Sequence, residues 1–262
     1  RQSRKSELKD QRMTSVITLE FMVQMTCMSC EKAVKDALEN VEGIQRVEVD
    51  LANERVVVDT VLPSSQVAGL IENTGRKAVL QGMGASDQKP LGAAVAMMEG
   101  GGAKGVTRLV QVKPDTCVIE GTLDGLEPGL HRLAVHELGD ISMGCESCGD
   151  IFGADTNNSE EKPLGDLGTV QADESGRIQF RLEEPNLKVW DLIGRSMIIH
   201  SPAQQNQSDF RRVACGIIAR SSGLFENTKR ICACDGVVLW DERDKPIAGA
   251  GRRSISTPNS QL

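Results

Sequence analysis

Eight cysteines stand out, at positions 27, 30, 117, 145, 148, 215, 232 and 234, and six fall in three tight pairs. The pairs are Cys27/Cys30, Cys145/Cys148 and Cys232/Cys234. A chain of 262 residues that is 39% hydrophobic has apolar matter enough for a core. Paired thiols in such a chain point to metal or redox chemistry more than to a disulfide scaffold. The run Met25-Thr26-Cys27-Met28-Ser29-Cys30 lies between a strand pattern and a helix pattern. At a helix N-terminus the dipole and free N–H groups lower thiol pKa and make thiolate available near neutral pH. Two thiolates bind soft Cu(I) at low coordination and leave room for an incoming ligand, as metal transfer requires. The same spacing also serves a redox dithiol. In Cys232-Ala233-Cys234 both sulfurs lie on one short arc, unsuited to tetrahedral zinc alone. That arc suits digonal Cu(I), or a strained, reducible disulfide for thiol exchange. Two incidental thiols are the plain alternative. Cys117 reads as a buried strand residue, and Cys148 has no evident partner.

Histidine sets the opposite limit. His131, His136 and His200 are all there are, so a multi-histidine metal centre has little to draw on. His131 reads as a surface residue, and structural roles are expected for the other two. The net charge of -7 opposes nucleic acid as a main partner. With aromatics at 3% and no Tyr, a base-stacking surface is hard to build. No apolar run reaches transmembrane length, so stable membrane insertion is not expected. Residues 1–13 carry five basic and two acidic residues without a hydrophobic stretch behind them. They read as a disordered extension, not a secretory signal. Thiol pairs without an export signal make the cytoplasm the expected compartment.

These groups need elements to hold them. Residues 14–82 read as βαββαβ, a ferredoxin-like order. Val16–Val23 alternates as a strand, and Val34, Leu38 and Val41 recur at helical spacing. Val47–Val61 holds two strands, Ser64 and Ser65 offer caps for a second helix, and Lys77–Gln81 closes the unit. Residues 83–90 read as a linker. From 91 to 220 short alternating strands, Leu187–Trp190 among them, predict an antiparallel barrel or sandwich with one long insertion at 139–170. Residues 221–262 have too little apolar content to fold alone and read as a flexible tail carrying the Cys232/Cys234 pair.

Met25-x-Cys27-x-x-Cys30 in a βαββαβ unit resembles the heavy-metal-associated domain. The runs Leu133–Asp140, Gly165–Gly168 and Arg212–Gly216 resemble copper/zinc superoxide dismutase, and so imply a Greek-key barrel. The tail, with Ser222–Phe225, Cys232–Gly236 and Pro246–Gly249, is not dismutase-like. The three-part order over roughly 14–253 resembles the copper chaperones of superoxide dismutase.

That resemblance implies Cu(I) on Cys27 and Cys30, and transfer of metal and disulfide by Cys232 and Cys234. It also implies an intradomain disulfide between Cys145 and Cys215. The implied partner is a copper/zinc superoxide dismutase subunit, met as a heterodimer through the middle domain, which also implies a homodimer. Departures from the enzyme decide the rest. The copper strand reads Ala134-Val135-His136, and Ile151 stands at the bridging position. His200 survives, Pro163 replaces a zinc ligand, and Asp166 alone remains of the zinc set. A lone carboxylate does not hold zinc. A chaperone rather than an enzyme is therefore expected. The alternative is a thiol-based copper buffer or redox protein without a dismutase target.

Overall fold

The computed structural model describes residues 15–86, 91–154, 162–203 and 206–227. The 1–13 extension, residues 87–90 of the linker, and Cys232 and Cys234 with the rest of 228–262 lie outside the described residues.

The first domain runs β1 (Ile17–Val23), α1 (Met28–Leu38), β2 (Ile44–Asp50), β3 (Arg55–Thr60), α2 (Ser64–Glu72), β4 (Ala78–Ala85). Its antiparallel sheet has the order β2-β3-β1-β4. Helical spacing buries Val34 and Leu38 of α1 and Val67 and Ile71 of α2. They share a core with Ile17, Leu19, Phe21 and Val23, one side of β1. The alternate residues Thr18, Glu20 and Met22 are buried as well, so both faces of β1 are covered. β4 continues to Ala85, past the expected end at Gln81, because Met83 and Ala85 keep the alternation and pair with Leu19 and Ile17. The first three linker residues are therefore strand. Ser64 does not cap α2. The N-cap is Pro63, and the Ser64 hydroxyl and amide both donate to Glu120 of the second domain.

The second domain comprises β5 (Ala93–Gly100), β6 (Ala103–Lys113), β7 (Thr116–Asp124), β8 (Gly129–His136), β9 (Ser142–Cys145), β10 (Asp166–Ala172), β11 (Ile178–Pro185), α3 (Val189–Leu192), β12 (Ser196–Ala203) and β13 (Asn206–Arg220). Eight strands follow the order β10-β8-β12-β13-β5-β6-β7-β11. The tight turn from Asp173 to Arg177 joins the two ends of that order and nearly closes a barrel. Leu109, Ile119, Leu123, Leu133, Ile178 and Ile199 fill its interior. Val189 and Trp190, expected in a strand, form one helical turn: Val189 N–H is taken up by the Gln111 side chain, not by a neighbouring strand.

The domains meet at the end of the first sheet where β1 begins. Arg181 donates to the carbonyls of Leu62 (2.7 Å) and Ser15 (3.0 Å), and Ser15 donates to Glu183 (2.7 Å). Val110, Val112 and Val118 of the barrel join the first domain's core. Cys27 and Cys30 follow the other end of β1, so about 20 Å of strand separates them from the barrel.

Candidate metal centre

Cys27 is the N-cap of α1, with extended backbone (φ -160°, ψ 166°), and its carbonyl accepts the Cys30 (2.9 Å) and Glu31 (3.2 Å) amides. This turn brings the two sulfurs to 3.4 Å, unbonded and facing outward. Cys27 Sγ is 2.9 Å from the Ser29 hydroxyl, and Cys30 Sγ is 3.8 Å from the Thr26 hydroxyl. The Cys30 thiol is lowered to about 6, first by the Thr26 backbone N–H, then by the Arg76 guanidinium and by Cys27. A thiolate therefore stands here at neutral pH. Met28 is exposed beside the pair, whereas Met25 is buried in the core under the loop. Sequence reading missed Arg76. It arrives from the α2–β4 turn, 46 residues beyond Cys30, and only its place in a Gly75-Arg76-Lys77 turn hints at it.

The barrel presents a different set. His136 and His200 meet with their Nε2 atoms 3.2 Å apart, both buried. His136 Nδ1 bonds the Gly149 carbonyl at 2.9 Å. Burial first, and then the neighbouring His136, push His200 down to about 4, and burial lowers His136 too. Both rings are neutral at physiological pH. Ile151, an aliphatic side chain, bridges backbone to backbone with His136. His131 is not on the surface: it is 1% exposed, held by the Glu127 carbonyl (2.7 Å) and the Ser201 hydroxyl (2.8 Å). Its place in a strand with inward alternation outweighs its polarity. Asp166 is paired through both oxygens to Arg132, at 3.3 and 3.1 Å. Partial burial would raise its carboxyl, but Arg132 and the Gly168 N–H hold it below the usual carboxylate range. Among the described residues no three His, Cys, Asp or Glu side chains converge as a metal cage.

Cys145 and Cys215 are joined by a disulfide across 70 residues, with Cα atoms 5.6 Å apart. Arg212 clamps the same loop by donating to the carbonyls of Cys145 (2.9 Å) and Gly149 (2.6 Å). Cys148 is a buried free thiol beside that bridge and donates to the Asp140 carbonyl at 3.3 Å. Cys117 is buried in β7, and burial pushes its thiol up to about 12, so it is inert.

Residues 20–77 match the heavy-metal-associated domain family, and residues 103–218 match the copper/zinc superoxide dismutase family. The chain is 49% identical to the copper chaperone for superoxide dismutase of Rattus norvegicus, over 95% of this chain and 97% of that one. The Homo sapiens protein of the same name matches at 49% over the same shares. The superoxide dismutase 1 copper chaperone of Saccharomyces cerevisiae is 31% identical, over 87% of this chain and 94% of its own.

Proposed function

The chain belongs to the family of copper chaperones for superoxide dismutase, and on that premise we propose how its parts divide the work. The first domain carries Cu(I) on Cys27 and Cys30. The observation that carries this reading is a pair of outward thiols 3.4 Å apart, one of them a thiolate near neutral pH. Two sulfurs leave the soft ion open to a third ligand from the receiving protein. Arg76 offsets the negative charge of two thiolates around one monovalent cation. The exposed position far from the barrel lets a target approach without displacing the second domain.

The barrel docks a copper/zinc superoxide dismutase subunit. Met97 (46% exposed) lies on β5 opposite Ile217 (40% exposed) on β13, by the register Ile218↔Ala96. A Cβ at Gly139 would lie 3.3 Å from the Ile217 side chain, so the loop carrying exposed Leu138, Ile141 and Met143 begins beside them. Such an apolar stripe on a dismutase-like barrel suits the matching stripe of a dismutase subunit, or of a second copy of this chain. A heterodimer is the working complex and a homodimer its resting counterpart.

The barrel itself is a chaperone part and not an enzyme. Ala134 and Ile151 stand where ligands would be needed, and Asp166 is already neutralised by Arg132. Zinc is therefore not a cofactor of this domain. Cys232 and Cys234 deliver the metal as thiolates; when they are instead joined as a disulfide, a target thiolate attacks it, a mixed disulfide forms, and the tail leaves as the dithiol while the target gains the disulfide. The cytoplasm, where thiols stay reduced, is the setting, and no helix among the described residues is long and apolar enough to cross a membrane.

The test mixes copper-loaded chain with purified apo-dismutase under an excess of a Cu(I) chelator. Dismutase activity should appear, and should be lost with Met97→Asp plus Ile217→Asp, which spoils docking. It should also be lost with Cys232→Ser plus Cys234→Ser, which leaves the heterodimer intact. Equal activation by free copper and by the chain would reduce the protein to a copper buffer.

A further inference from the structure

The residues directly after the barrel are not free. Ser221 N–H donates to Ala93 O at the edge of β5 (3.0 Å), and the chain then crosses the face of the first domain's sheet that carries no helices. Two glycines of β4 make room for it. A Cβ on Gly82 would stand 2.7 Å from the Gly223 carbonyl and 3.2 Å from the Leu224 Cα, both backbone atoms. A Cβ on Gly84 would stand 2.6 Å from the Leu224 side chain. Leu224 is 9% exposed in this cradle. Phe225 N–H donates to the Glu20 carboxylate (2.7 Å), a buried group in the middle of β1. The Asn227 side chain donates to the Gln81 carbonyl at 3.4 Å. Arg55 lies over the Phe225 ring, 5.3 Å from its centroid.

We propose that Ser221–Asn227 is a releasable latch that sets the reach of the Cys232/Cys234 tail, with Gly82, Gly84 and Glu20 as its receptor on the first domain. This rests on the assignment of copper transfer to those two thiols. Several features make the latch releasable. Leu224 is its one buried large apolar side chain, and the Phe225 ring is mostly exposed. Phe225 also holds a left-handed backbone (φ 61°), costly for an aromatic residue unless its surroundings impose it. A cleft of about 260 Å³, lined by Leu80, Gly82, Ala94, Leu109, Ser221 and Asn227, borders the two ends of the strap and leaves them open on one side.

Two tether lengths follow. Docked, the span to Cys232 starts after Asn227 and covers five residues, at most about 18 Å. Phe225 then sits under Arg55, whose strand partner is Met22, at the sheet end that leads to Cys27. Released, the span to Cys232 starts after Arg220 and covers twelve residues, at most about 43 Å. The short tether keeps the tail thiols near Cys27/Cys30, and the long one lets them reach a subunit docked on the barrel.

The experiment is amide exchange by NMR on the full copper-loaded chain, with Gly82→Val and Leu224→Ser as separate variants. Valine suits a strand, so Gly82→Val lifts the strap without weakening β4, and Leu224→Ser leaves the first domain's own residues untouched. The Phe225 amide should be protected at least tenfold in the parent chain and should lose that protection in both variants. Copper movement from Cys27/Cys30 to Cys232/Cys234, followed by X-ray absorption on quenched samples, should slow several-fold. An unprotected Phe225 amide in the parent chain overturns the latch, and unchanged copper movement in both variants overturns its role as a tether. Failure of dismutase activation with Phe225 protected would instead refute the delivery reading and leave the latch standing.

Discussion

Among the described residues, two pairs of metal-donor side chains stand in opposite settings. Cys27 and Cys30 face outward at a helix start, with a thiolate made by a backbone N–H and an arginine. His136 and His200 face each other inside a barrel wall, made neutral by burial. The first pair is open to a partner, adaptable in spacing and charged. The second is sealed, touches its own partner ring and is paired through the backbone with Ile151, whose side chain offers no donor atom. Metal transfer needs a site that another protein can enter, whereas metal retention needs a closed set of ligands around the ion. The difference teaches that the dismutase-like part of this chain keeps the shape of an enzyme for recognition, while the chemistry sits in a separate small domain.

The contrast breaks first at the thiols. Cys27→Ser with Cys30→Ser should lower copper binding to the first domain by several orders of magnitude, since hydroxyls are poor Cu(I) ligands. X-ray absorption should lose its two-sulfur signature, and an unchanged spectrum would move the site elsewhere. His136→Ala with His200→Ala should leave that copper untouched.

The barrel's dependence on its own covalent tie comes next. Cys215→Ser opens a 70-residue loop and should cost about 4 kcal/mol by the loop-entropy relation. Guanidinium unfolding would show it, with the first domain's copper uptake preserved.

Acid should act on the histidine pair. His200 is held at about 4 when folded and takes the ordinary value of about 6.5 when unfolded. Between those values the unfolded chain binds a proton that the folded chain refuses, so stability is lost as pH falls through that window. The loss approaches roughly 3 kcal/mol at pH 4 from this group alone. His200→Asn should flatten that part of the stability profile.

The smallest expected change sharpens the account of the thiolate. Arg76→Met should raise the Cys30 titration from about 6 by about one pH unit. The pH dependence of alkylation at Cys30 would report it, with both thiols kept and the modified site resolved by mass spectrometry.

Much of this was legible in the sequence, for physical reasons. Period-two and period-3.6 patterns revealed β1, α1 and the barrel strands because apolar residues recur at the spacing of one strand or helix face. The Cys27/Cys30 pair was legible because spacing at a helix start is local chemistry. Contacts between distant residues were not. Arg76 reaches Cys30 from another turn, Ser64 left its expected cap for Glu120 across the domain boundary, and His131 found Ser201 inside the barrel. The strap at 221–227 was hidden because a single buried leucine and a few hydrogen bonds to distant residues hold it, too little apolar mass to mark a folded segment.

The central claim is that copper held at Cys27/Cys30 is the copper a dismutase receives. The direct measurement loads the full chain with an isotopically labelled copper, removes unbound metal, and mixes it with apo-dismutase and a Cu(I) chelator carrying the natural isotope. Native mass spectrometry then reads the isotope in the recovered dismutase. The account predicts the labelled isotope in the dismutase with the parent chain and none with Cys27→Ser, Cys30→Ser. Natural-isotope copper in the dismutase, or equal labelling with the double variant, would contradict it.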